Sequence, residues 1–387
     1  MLDSETRSPQ PPRLAIWGTF DTGKPRVRML VEAAKRLDPD LSLVHRNPWK
    51  GIEDKTQIKG LLSKIKIFIA WVKCYPYLIW EYFKIPKHEI VIVPYLGNFD
   101  VFFLWPIARL RGAKICWDMF ISLYDTIVED RKLLSTRNIV ARLLYRFEHA
   151  SIRLSDMVLI DTQEHARYIA NLYQVSPTNI QSMWVGSETD LFRPALLPYR
   201  NGPVKILFYG QFIPLHGLET LVEAIHIVNM NDTSPEIQFT IIGTGQESPR
   251  IDHLIYERKL NNLHRINWIN YNLLPKVIDD CDICLGIFAG EGKSARVIPN
   301  KVFQIMAVGR PLITRDSPAI RELVEPSLAI HLVKPENPAE LASTIIAIAR
   351  DLRTPGKAEA IAQAAAIMPC IDIETIAAQL SARLENL

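Results

Sequence analysis

Three basic side chains lie close together in the C-terminal half of the chain. Lys293, Arg296 and Lys301 fall within residues 291–301, which read EGKSARVIPNK. This stretch follows an apolar run that reads as a buried strand, and it precedes a segment that reads as a helix. Cations in a loop that leads into a helix can bind phosphate, because the helix N-terminus adds unpaired N–H groups and a favourable dipole.

A second loop has a similar position. Residues 210–217 read GQFIPLHG, so that the loop opens and closes on glycine and holds His216 just before a predicted helix. Backbone N–H groups at such a helix start favour an anion. If a group is transferred away from a phosphate ester, these donors would stabilise the charge left on the phosphate. The two loops therefore predict a phosphate site.

The elements that would carry these loops alternate between strand and helix. The run EIVIVP at residues 89–94 is typical of a parallel strand that is covered on both faces. The alternation occurs twice, on either side of the proline-containing linker Arg193–Pro203, which predicts two doubly wound, Rossmann-like α/β domains facing a cleft. Ligands in such sheets bind at the carboxyl ends of the strands. We expect a disordered tail over residues 1–12, an N-terminal domain over 13–196 and a C-terminal domain over 197–370, with a helix at 371–387 that crosses back onto the first domain.

Composition excludes several classes of protein. The 387 residues carry 45 basic and 42 acidic side chains and are 48% apolar, which is typical of folded domains rather than of a disordered chain. The apolar runs are too short to span a bilayer, and the first residues lack the apolar segment of a secretory signal. Five scattered cysteines indicate a reducing cytoplasm. Cys281 and Cys284 form one CxxC, which we interpret as buried apolar residues in preference to a metal or redox site.

Five segments of the chain, taken in order, resemble the family-four retaining glycosyltransferases, which have the GT-B fold. They match the family's hinge segment, its glycine loop, its G-x-G turn, the helix that ends in Asp before a short strand, and its donor-site helix. The segments are WVGSETDLFRP (184–194), ILFYGQFIPLHG (206–217), IIGTGQE (241–247), LLPKVIDDCDICL (273–285) and IPNKVFQIMAVGRPLIT (298–314). In the N-terminal half the resemblance covers the architecture and the segment Asp156–Thr162.

The resemblance implies a hexosyltransferase that moves a sugar from a nucleotide-diphosphate donor to a polysaccharide or lipid-linked acceptor. The family's retaining mechanism is usually drawn as front-face attack, in which leaving phosphate oxygens act as the base. No protein nucleophile, cofactor or metal is then expected. The DxD-like sequence Asp280-Cys281-Asp282 lies between a helix and a buried strand, which indicates a structural role.

The donor site departs from the family pattern at four positions. Gln211 and His216 stand where the family usually has Arg and Lys, and His216 could replace a cation in part, by charge or by an N–H donor. Gln304 takes the place of the second Glu of the family's Glu-x7-Glu pair, where it could still contact the ribose. Arg296 takes the place of the first Glu, which leaves Glu291 as the only carboxylate of the loop. The predicted donor-binding residues are Gly18, Thr19, Gly210, Gln211, His216, Lys293, Arg296, Pro299, Asn300, Lys301 and Gln304.

The N-terminal domain should hold the acceptor. Gly18 and Thr19 end the first predicted strand, where the family has a turn that faces the phosphates. Family members often carry a histidine or an acid after a later strand that contacts the donor sugar; Asp118 is the best match and Asp125 the next, with helix capping as the alternative role. The predicted catalytic residues are Asp118, His216 and Glu291.

A basic and aromatic stripe explains most of the charge asymmetry of the chain. Residues 1–200 hold 28 basic and 21 acidic side chains, and the segment Lys55–Lys87 alone has seven lysines and one acid, with aromatic residues between them. This mixture is typical of a helix on an anionic membrane, although a core helix with snorkelling lysines and a single-stranded nucleic-acid site remain alternatives. The predicted membrane or acceptor residues are Lys59, Lys64, Lys66, Trp71, Lys73 and Trp80. We therefore expect a cytoplasmic protein, peripheral on the inner face of the membrane, with no nucleic-acid partner.

The substitutions in the donor site leave other functions open. A degenerate relative could bind a nucleotide or a partner without transferring sugar. A sugar-nucleotide epimerase of the same fold is a weaker third possibility.

Overall fold

The computed structural model of the protein describes residues 12–48, 69–197 and 202–387. Within these residues the chain forms two six-stranded sheets, and every pair of neighbouring strands is parallel. Helices connect successive strands in both sheets, so the expected pair of doubly wound α/β domains is confirmed. The predicted tail at residues 1–12 lies outside the described residues, except for Pro12.

The N-terminal sheet has the strand order β2-β1-β3-β4-β5-β6. Its strands are β1 (Leu14–Gly18), β2 (Ser42–His45), β3 (Ile90–Val93), β4 (Lys114–Phe120), β5 (Met157–Ile160) and β6 (Ile180–Ser182). Its helices are α1 (Pro25–Leu37), α2 (Cys74–Lys84), α3 (Asn98–Arg111), α4 (Ile139–Leu154) and α5 (Gln163–Tyr173), and a π-helical turn spans Asp125–Asp130. The strand order reverses between β1 and β3, and the carboxyl ends of these two strands are where such a sheet binds ligands.

The C-terminal sheet has the strand order β12-β11-β10-β7-β8-β9. Its strands are β7 (Val204–Tyr209), β8 (Ile237–Ile242), β9 (Leu263–Ile266), β10 (Ile283–Leu285), β11 (Leu312–Arg315) and β12 (Ile330–Val333). The helices are α6 (Leu218–Asn229), α7 (Ser248–Glu257), α8 (Leu274–Asp279), α9 (Lys293–Arg296), α10 (Asn300–Val308), α11 (Pro338–Leu352), α12 (Pro355–Ala366) and α13 (Ile373–Leu384). Here the order reverses between β7 and β10, so the two predicted phosphate loops, which follow these strands, meet at the switch point.

The central strands β3 and β10 are apolar along their whole length because helices cover both faces of each sheet. All four residues of β3 are buried, as are all three of β10. Cys281 and Cys284 are buried in the same core as the α10 residues, consistent with an apolar packing role. Asp282 is buried too, and its carboxylate accepts a hydrogen bond from the backbone N–H of Lys205 at 2.8 Å. This contact assigns the acid a structural role at the start of β7.

The last helix of the chain lies on the N-terminal domain. The Gln379 side-chain oxygen accepts a hydrogen bond from Trp184 N–H at 3.0 Å, and Arg383 donates to the carbonyl of Ser182 at 3.0 Å. Buried residues of α13 and of α1 belong to one apolar cluster. The chain therefore crosses between the domains twice.

The helix α12 was missed by the sequence analysis. It begins with Pro355 and is rich in alanine, which has the highest helix propensity. Its weak apolar periodicity hid it, because only Ile361 and Ala365 are buried.

Candidate active site between the two domains

Lys301 is a buried cation at the first turn of α10. Its side chain is 4% exposed, and its ammonium group donates one hydrogen bond, to the carbonyl of Gly286 at 3.3 Å. The ammonium also lies 3.6 Å from the ring centroid of Phe208. No carboxylate of the described residues forms an ion pair with it, and burial holds the pKa of Lys301 well below its ordinary value. A buried ammonium whose charge is balanced by one hydrogen bond and by no carboxylate of the described residues is suited to bind an anion.

Gly210 makes room for this cation at the carboxyl end of β7. Its φ of +147° lies in a region that favours glycine. A Cβ atom at this position would lie 2.8 Å from the His216 ring and 3.0 Å from the Lys301 ammonium nitrogen. Gly210, His216 and Lys301 are thus brought together, as the two predicted loops required.

The structure corrects one expectation for His216. Its Nδ1–H donates to the carbonyl of Gln211, which fixes the proton on that nitrogen. Burial and the neighbouring Lys301 hold the pKa of His216 well below its ordinary value. His216 is therefore neutral and cannot replace a cation by charge, and its Nε2 is left as an acceptor.

Lys293 and Arg296 meet a carboxylate of the other domain. Asp125, which is fully buried, begins the π-helical turn after β4. Its Oδ1 lies 2.8 Å from Arg296 Nη2, and its Oδ2 lies 3.3 Å from Lys293 Nζ. Lys293 also donates to the Thr126 hydroxyl at 2.5 Å. The two predicted phosphate-binding cations therefore bridge the cleft.

A histidine that the sequence analysis did not single out lies behind this cluster. His165 is fully buried at the start of α5, and its Nδ1 lies 2.6 Å from Asp161 Oδ1. Its Nε2 points toward Asp125 Oδ2 at 3.9 Å, too far for a hydrogen bond. The segment Asp156–Thr162 carried a family resemblance, and it ends three residues before this histidine.

Glu148 positions the Asp125 turn. This buried carboxylate of α4 accepts hydrogen bonds from Leu123 N–H at 2.8 Å, from Tyr124 N–H at 3.0 Å and from the Ser122 hydroxyl at 2.7 Å. Tyr173 donates a further hydrogen bond at 2.5 Å. The acid lies inside an amphipathic helix, and its local sequence carries no signal of this role.

Asp118 is buried and forms an ion pair with Arg26. It is fully buried within β4, and Arg26 contacts both of its oxygens, with Nη2 at 2.7 Å from Oδ1 and Nε at 3.1 Å from Oδ2. Arg26 also donates to the carbonyls of Met183 and Trp184 at 2.6 Å. These contacts give Asp118 a structural role that joins β4 to α1 and to the segment after β6, in place of the expected catalytic one.

Gln304, the predicted ribose contact, has hydrogen-bond partners within the protein. Its Oε1 accepts from the Tyr209 hydroxyl at 3.0 Å, and its Nε2 donates to the Tyr271 hydroxyl at 3.1 Å. Tyr271 in turn donates to Glu188 of the hinge segment at 2.6 Å, and Arg28 of α1 binds the same carboxylate. This network connects the N-terminal domain to α10.

Gly18 and Thr19 end β1 beside a buried acid. Asp100 accepts from the Thr19 N–H at 2.8 Å and from the Thr19 hydroxyl at 2.9 Å. Tyr75 of α2 donates to the same carboxylate at 2.7 Å. Burial raises the pKa of Asp100 to about 6. A Cβ atom on Gly18 would lie 2.5 Å from this carboxylate, so the close approach requires glycine.

The remaining predicted donor-site residues lie around these loops. Glu291 and Gln211 are exposed, and Pro299 and Asn300 are partly exposed at the start of α10. Glu291 is therefore not enclosed with the cation cluster. Arg315, at the end of β11, fixes the loop that carries Glu291, because it donates to the carbonyl of Ala289 at 2.6 Å and to the Ser294 hydroxyl at 2.7 Å.

Only part of the predicted membrane stripe is described. Lys59, Lys64 and Lys66 lie outside the described residues. Lys73 is exposed, and Trp80 is 60% exposed, with the Lys84 ammonium 2.9 Å from its ring centroid. Trp71 instead faces the site, because its indole N–H donates to the Thr19 hydroxyl at 2.6 Å.

The described residues contain no group of three or more His, Cys, Asp or Glu side chains that could hold a metal ion. Among the same residues, no helix has both the length and the apolar character needed to cross a membrane.

Comparison with known sequences agrees with the C-terminal geometry. Residues 203–351 match the family model of the glycosyl transferases group 1. The amylovoran biosynthesis glycosyltransferase AmsK of Erwinia amylovora is 25% identical over 165 residues, which is 42% of this chain. The match spans 40% of the length of that relative.

Solved structures share the architecture of the whole chain. HepE of Anabaena, solved with UDP, has a TM-score of 0.66 at 13% identity, over 97% of this chain and 100% of that one. Sucrose-phosphate synthase of Thermosynechococcus elongatus has a TM-score of 0.67 at 18% identity, over 97% and 98%. The lipopolysaccharide outer core galactosyltransferase WaaB has a TM-score of 0.59 at 16% identity, over 96% and 99%. At these identities the likeness concerns the fold. The chain thus has the two-domain GT-B fold, and residues 203–351 of its C-terminal domain are similar to the glycosyl transferases group 1.

Proposed function

We propose that the protein is a retaining glycosyltransferase that moves a sugar from a nucleotide-diphosphate donor to a polysaccharide or lipid-linked acceptor. The observation that carries this proposal is the buried ammonium of Lys301, which lies beside Gly210 at the switch point of the C-terminal sheet. HepE, which shares the fold, has been solved with UDP and with UDP-glucose. A diphosphate at this place would receive a charge-assisted hydrogen bond from Lys301.

In this mechanism the protein stabilises the leaving diphosphate. Negative charge grows on the phosphate as the bond to the sugar breaks, and a preorganised cation in a dry site lowers the energy of that transition state. Lys301 and the backbone N–H groups at the start of α10 act together, because the helix dipole also favours the anion. The neutral His216 positions the loop through its hydrogen bond to Gln211.

Lys293 and Arg296 form a second set of cations for the same phosphates. In the structure they are paired with Asp125. The donor diphosphate would exchange places with this carboxylate, and the two cations would then contact the phosphate oxygens. The cleft is thus bridged by Asp125 before the donor arrives.

Lysine and arginine can supply the positive charge that other glycosyltransferases take from a divalent ion, so we propose a metal-independent reaction. We also propose that no protein carboxylate attacks the sugar. Asp118 is fully buried and contacted on both oxygens by Arg26, which supports the front-face route in place of a covalent intermediate.

The acceptor would bind on the N-terminal side, with the protein peripheral on the inner face of the membrane. The exposed Lys73, Trp80 and Phe83 of the α2 region support this location, because lysine with interfacial aromatics is typical of membrane-surface helices. Two similar proteins, a glycosyltransferase of amylovoran biosynthesis and a galactosyltransferase of the lipopolysaccharide outer core, support cell-envelope polysaccharides as the acceptor class.

A protein that binds nucleotide without transfer is the second candidate. The amide of Gln304 is already held by Tyr209 and Tyr271, and the cations of α9 are already paired with Asp125. Stabilising the leaving diphosphate through the α9 cations needs these cations to leave Asp125. A nucleotide could bind through Lys301 while Gln304 and the α9 cations keep their present partners.

A donor screen separates the two functions. Nucleoside diphosphate released from a panel of nucleotide sugars is measured with and without membrane lipid extract, in the presence and absence of a chelator. Turnover of any donor excludes the binding-only function, and NMR of the product anomer tests retention. Tight UDP binding with no turnover of any donor would instead support the second candidate.

A further inference from the structure

The segment before α4 and the first half of that helix form an unusually basic stretch. Residues 131–147 read RKLLSTRNIVARLLYRF, with five basic side chains and no acidic one. This stretch is separate from the Lys55–Lys87 stripe in the sequence. It contributes a second concentration of positive charge to the N-terminal domain.

The same stretch exposes four aliphatic side chains. Leu133, Ile139, Val140 and Leu143 are 58%, 72%, 54% and 58% exposed. On α4, Ile139, Leu143 and Arg146 lie at spacings of four and three residues and therefore share a face, with Arg142 next to them. Aliphatic groups grouped on a solvent-exposed face are typical of an interaction surface.

The basic groups on this face are not neutralised. Within the described part of the chain, no carboxylate pairs with the side chain of Arg137, Arg142 or Arg146, and the only carboxylate of α4, Glu148, is buried and turned toward the Ser122 loop. The surface therefore presents positive charge next to aliphatic side chains, and no carboxylate of the described residues neutralises these three arginines.

Aromatic contacts join this surface to the cleft. The Phe147 ring stacks on Phe102 of α3, with centroids 4.9 Å apart, and contacts Phe99 at 4.4 Å. Phe99 contacts the Trp71 ring at 4.6 Å, and Trp71 donates to the Thr19 hydroxyl. The surface is thus connected through packed side chains to the end of β1, on the proposed acceptor side.

We propose that this surface, which we call the α4 patch (Leu133, Arg137, Ile139, Val140, Arg142, Leu143 and Arg146), docks on an anionic lipid bilayer. This proposal deepens the proposed function, and it rests on that function because it assumes a lipid-linked acceptor. Together with the α2 region it provides a second contact, and two separated contacts fix how the N-terminal domain faces the bilayer. The aliphatic side chains enter the headgroup region, and the arginines bind lipid phosphates.

The chemistry of the patch distinguishes lipid from other occupants. In a symmetric dimer through this face, the unpaired arginines of one copy would meet the same arginines of the other, which is unfavourable. Single-stranded nucleic acid is held by exposed rings on which bases stack, whereas the exposed apolar groups here are aliphatic. An anionic bilayer fits both parts of the patch, because its headgroups can bind the arginines and the apolar layer beneath them can bury the aliphatic side chains.

Vesicle sedimentation tests the proposal. The full chain is mixed with vesicles of phosphatidylcholine containing phosphatidylglycerol, and with vesicles of phosphatidylcholine alone. The variants are Arg142→Gln with Arg146→Gln, and Ile139→Ser with Leu143→Ser. The matched control combines Lys276→Gln with Ile367→Ser, because these exposed residues lie in the C-terminal domain and Ile367 is 83% exposed.

We expect the arginine variant to bind anionic vesicles about 25-fold more weakly, since each basic side chain near an anionic bilayer contributes about fivefold. The serine variant should lose about tenfold or more on anionic vesicles, and the control should bind like the native chain. Native thermal unfolding and unchanged UDP affinity of each variant show that the fold and the donor site are intact.

Other outcomes overturn the proposal in distinguishable ways. Unchanged vesicle binding of both α4 variants, with binding lost on Trp80→Ser, refutes the α4 patch and keeps the α2 docking. Absence of vesicle binding by the native chain refutes membrane docking altogether, whereas donor turnover tests sugar transfer separately. If the α4 variants differ from the native chain in oligomeric mass when no vesicles are present, the patch is instead an interface with a second copy of the chain.

Discussion

Asp125 Oδ1 lies 2.8 Å from Arg296 Nη2, so a buried carboxylate of the N-terminal domain closes the cleft on a cation of the C-terminal domain. The two residues are 171 positions apart in the sequence. Lys293 completes the cluster from the same short helix as Arg296. The contact has a direct consequence for anion binding, because one carboxylate occupies both cations that the donor phosphates would use.

We predict that Asp125→Asn tightens the binding of pyrophosphate and UDP about tenfold. The substitution removes the competing charge, and a freed charge-assisted hydrogen bond contributes about 1.5–3 kcal/mol. Titration calorimetry measures the affinity, and Asp316→Asn serves as control, because Asp316 pairs with Arg321 on the surface. If Asp125→Asn leaves pyrophosphate affinity unchanged, Lys293 and Arg296 do not contact the phosphates.

Lys301→Met should weaken UDP binding and stabilise the fold at the same time. The loss of the ammonium removes one charge-assisted hydrogen bond, which corresponds to about 10- to 100-fold in affinity. The buried charge also disfavours folding, so replacing it with an apolar side chain of similar length should raise the midpoint of thermal unfolding. The matched control is Lys276→Met, on the exposed face of α8.

UDP binding should also be linked to proton uptake at Lys301. Burial lowers the pKa of this ammonium, and a bound diphosphate raises it again, so the complex takes up protons at pH values between the two pKa values. The binding enthalpy should then depend on the ionisation enthalpy of the buffer, and Lys301→Met should remove that dependence. A buffer-independent enthalpy in the native chain throughout the neutral and alkaline range would contradict an anion contact at Lys301.

Asp100 predicts a pH dependence of the free energy of unfolding. Its pKa is about 6 in the folded protein, against the ordinary value of 3.8. Between these values the folded state binds the extra proton, so the stability due to this group is fully present below about pH 4 and is lost as the pH rises through about 6. The loss amounts to about 3 kcal/mol.

Urea unfolding across pH 4–7 measures this contribution. The native chain should lose stability with rising pH relative to Asp100→Asn, in which the titrating group is absent. Asp40→Asn, on the surface, is the control and should follow the native chain. Parallel curves for the native chain and Asp100→Asn would show that Asp100 does not titrate in this range.

Glu148→Ala should destabilise the N-terminal domain by about 3 kcal/mol, because several buried donors lose a charged acceptor. Glu148→Gln should cost less, because the amide oxygen can still accept hydrogen bonds. Urea unfolding measures both variants, with the exposed Glu374→Gln as control. A Glu148→Ala variant with native stability would refute the role of this acid in holding the Ser122–Tyr124 loop.

The fold was predictable from the sequence because its signals are local. The apolar run before Pro94, the strand and helix alternation and the glycine loops each follow from backbone geometry and burial over short stretches. The place of Lys301 in the first turn of a helix was also predictable from local sequence, and its role in anion binding stays a prediction. The alanine-rich α12 was missed because its apolar pattern is weak.

The partners of the charged residues were decided only by the tertiary structure. Asp118 read as a catalytic candidate, yet packing places it against Arg26, which lies 92 residues earlier. His216 read as a substitute cation, yet burial beside Lys301 leaves it neutral. By itself the sequence determined which residues could carry charge and which segments could form strands and helices. Which charge is neutralised, and by what, depends on distances and burial that arise only when remote segments pack together.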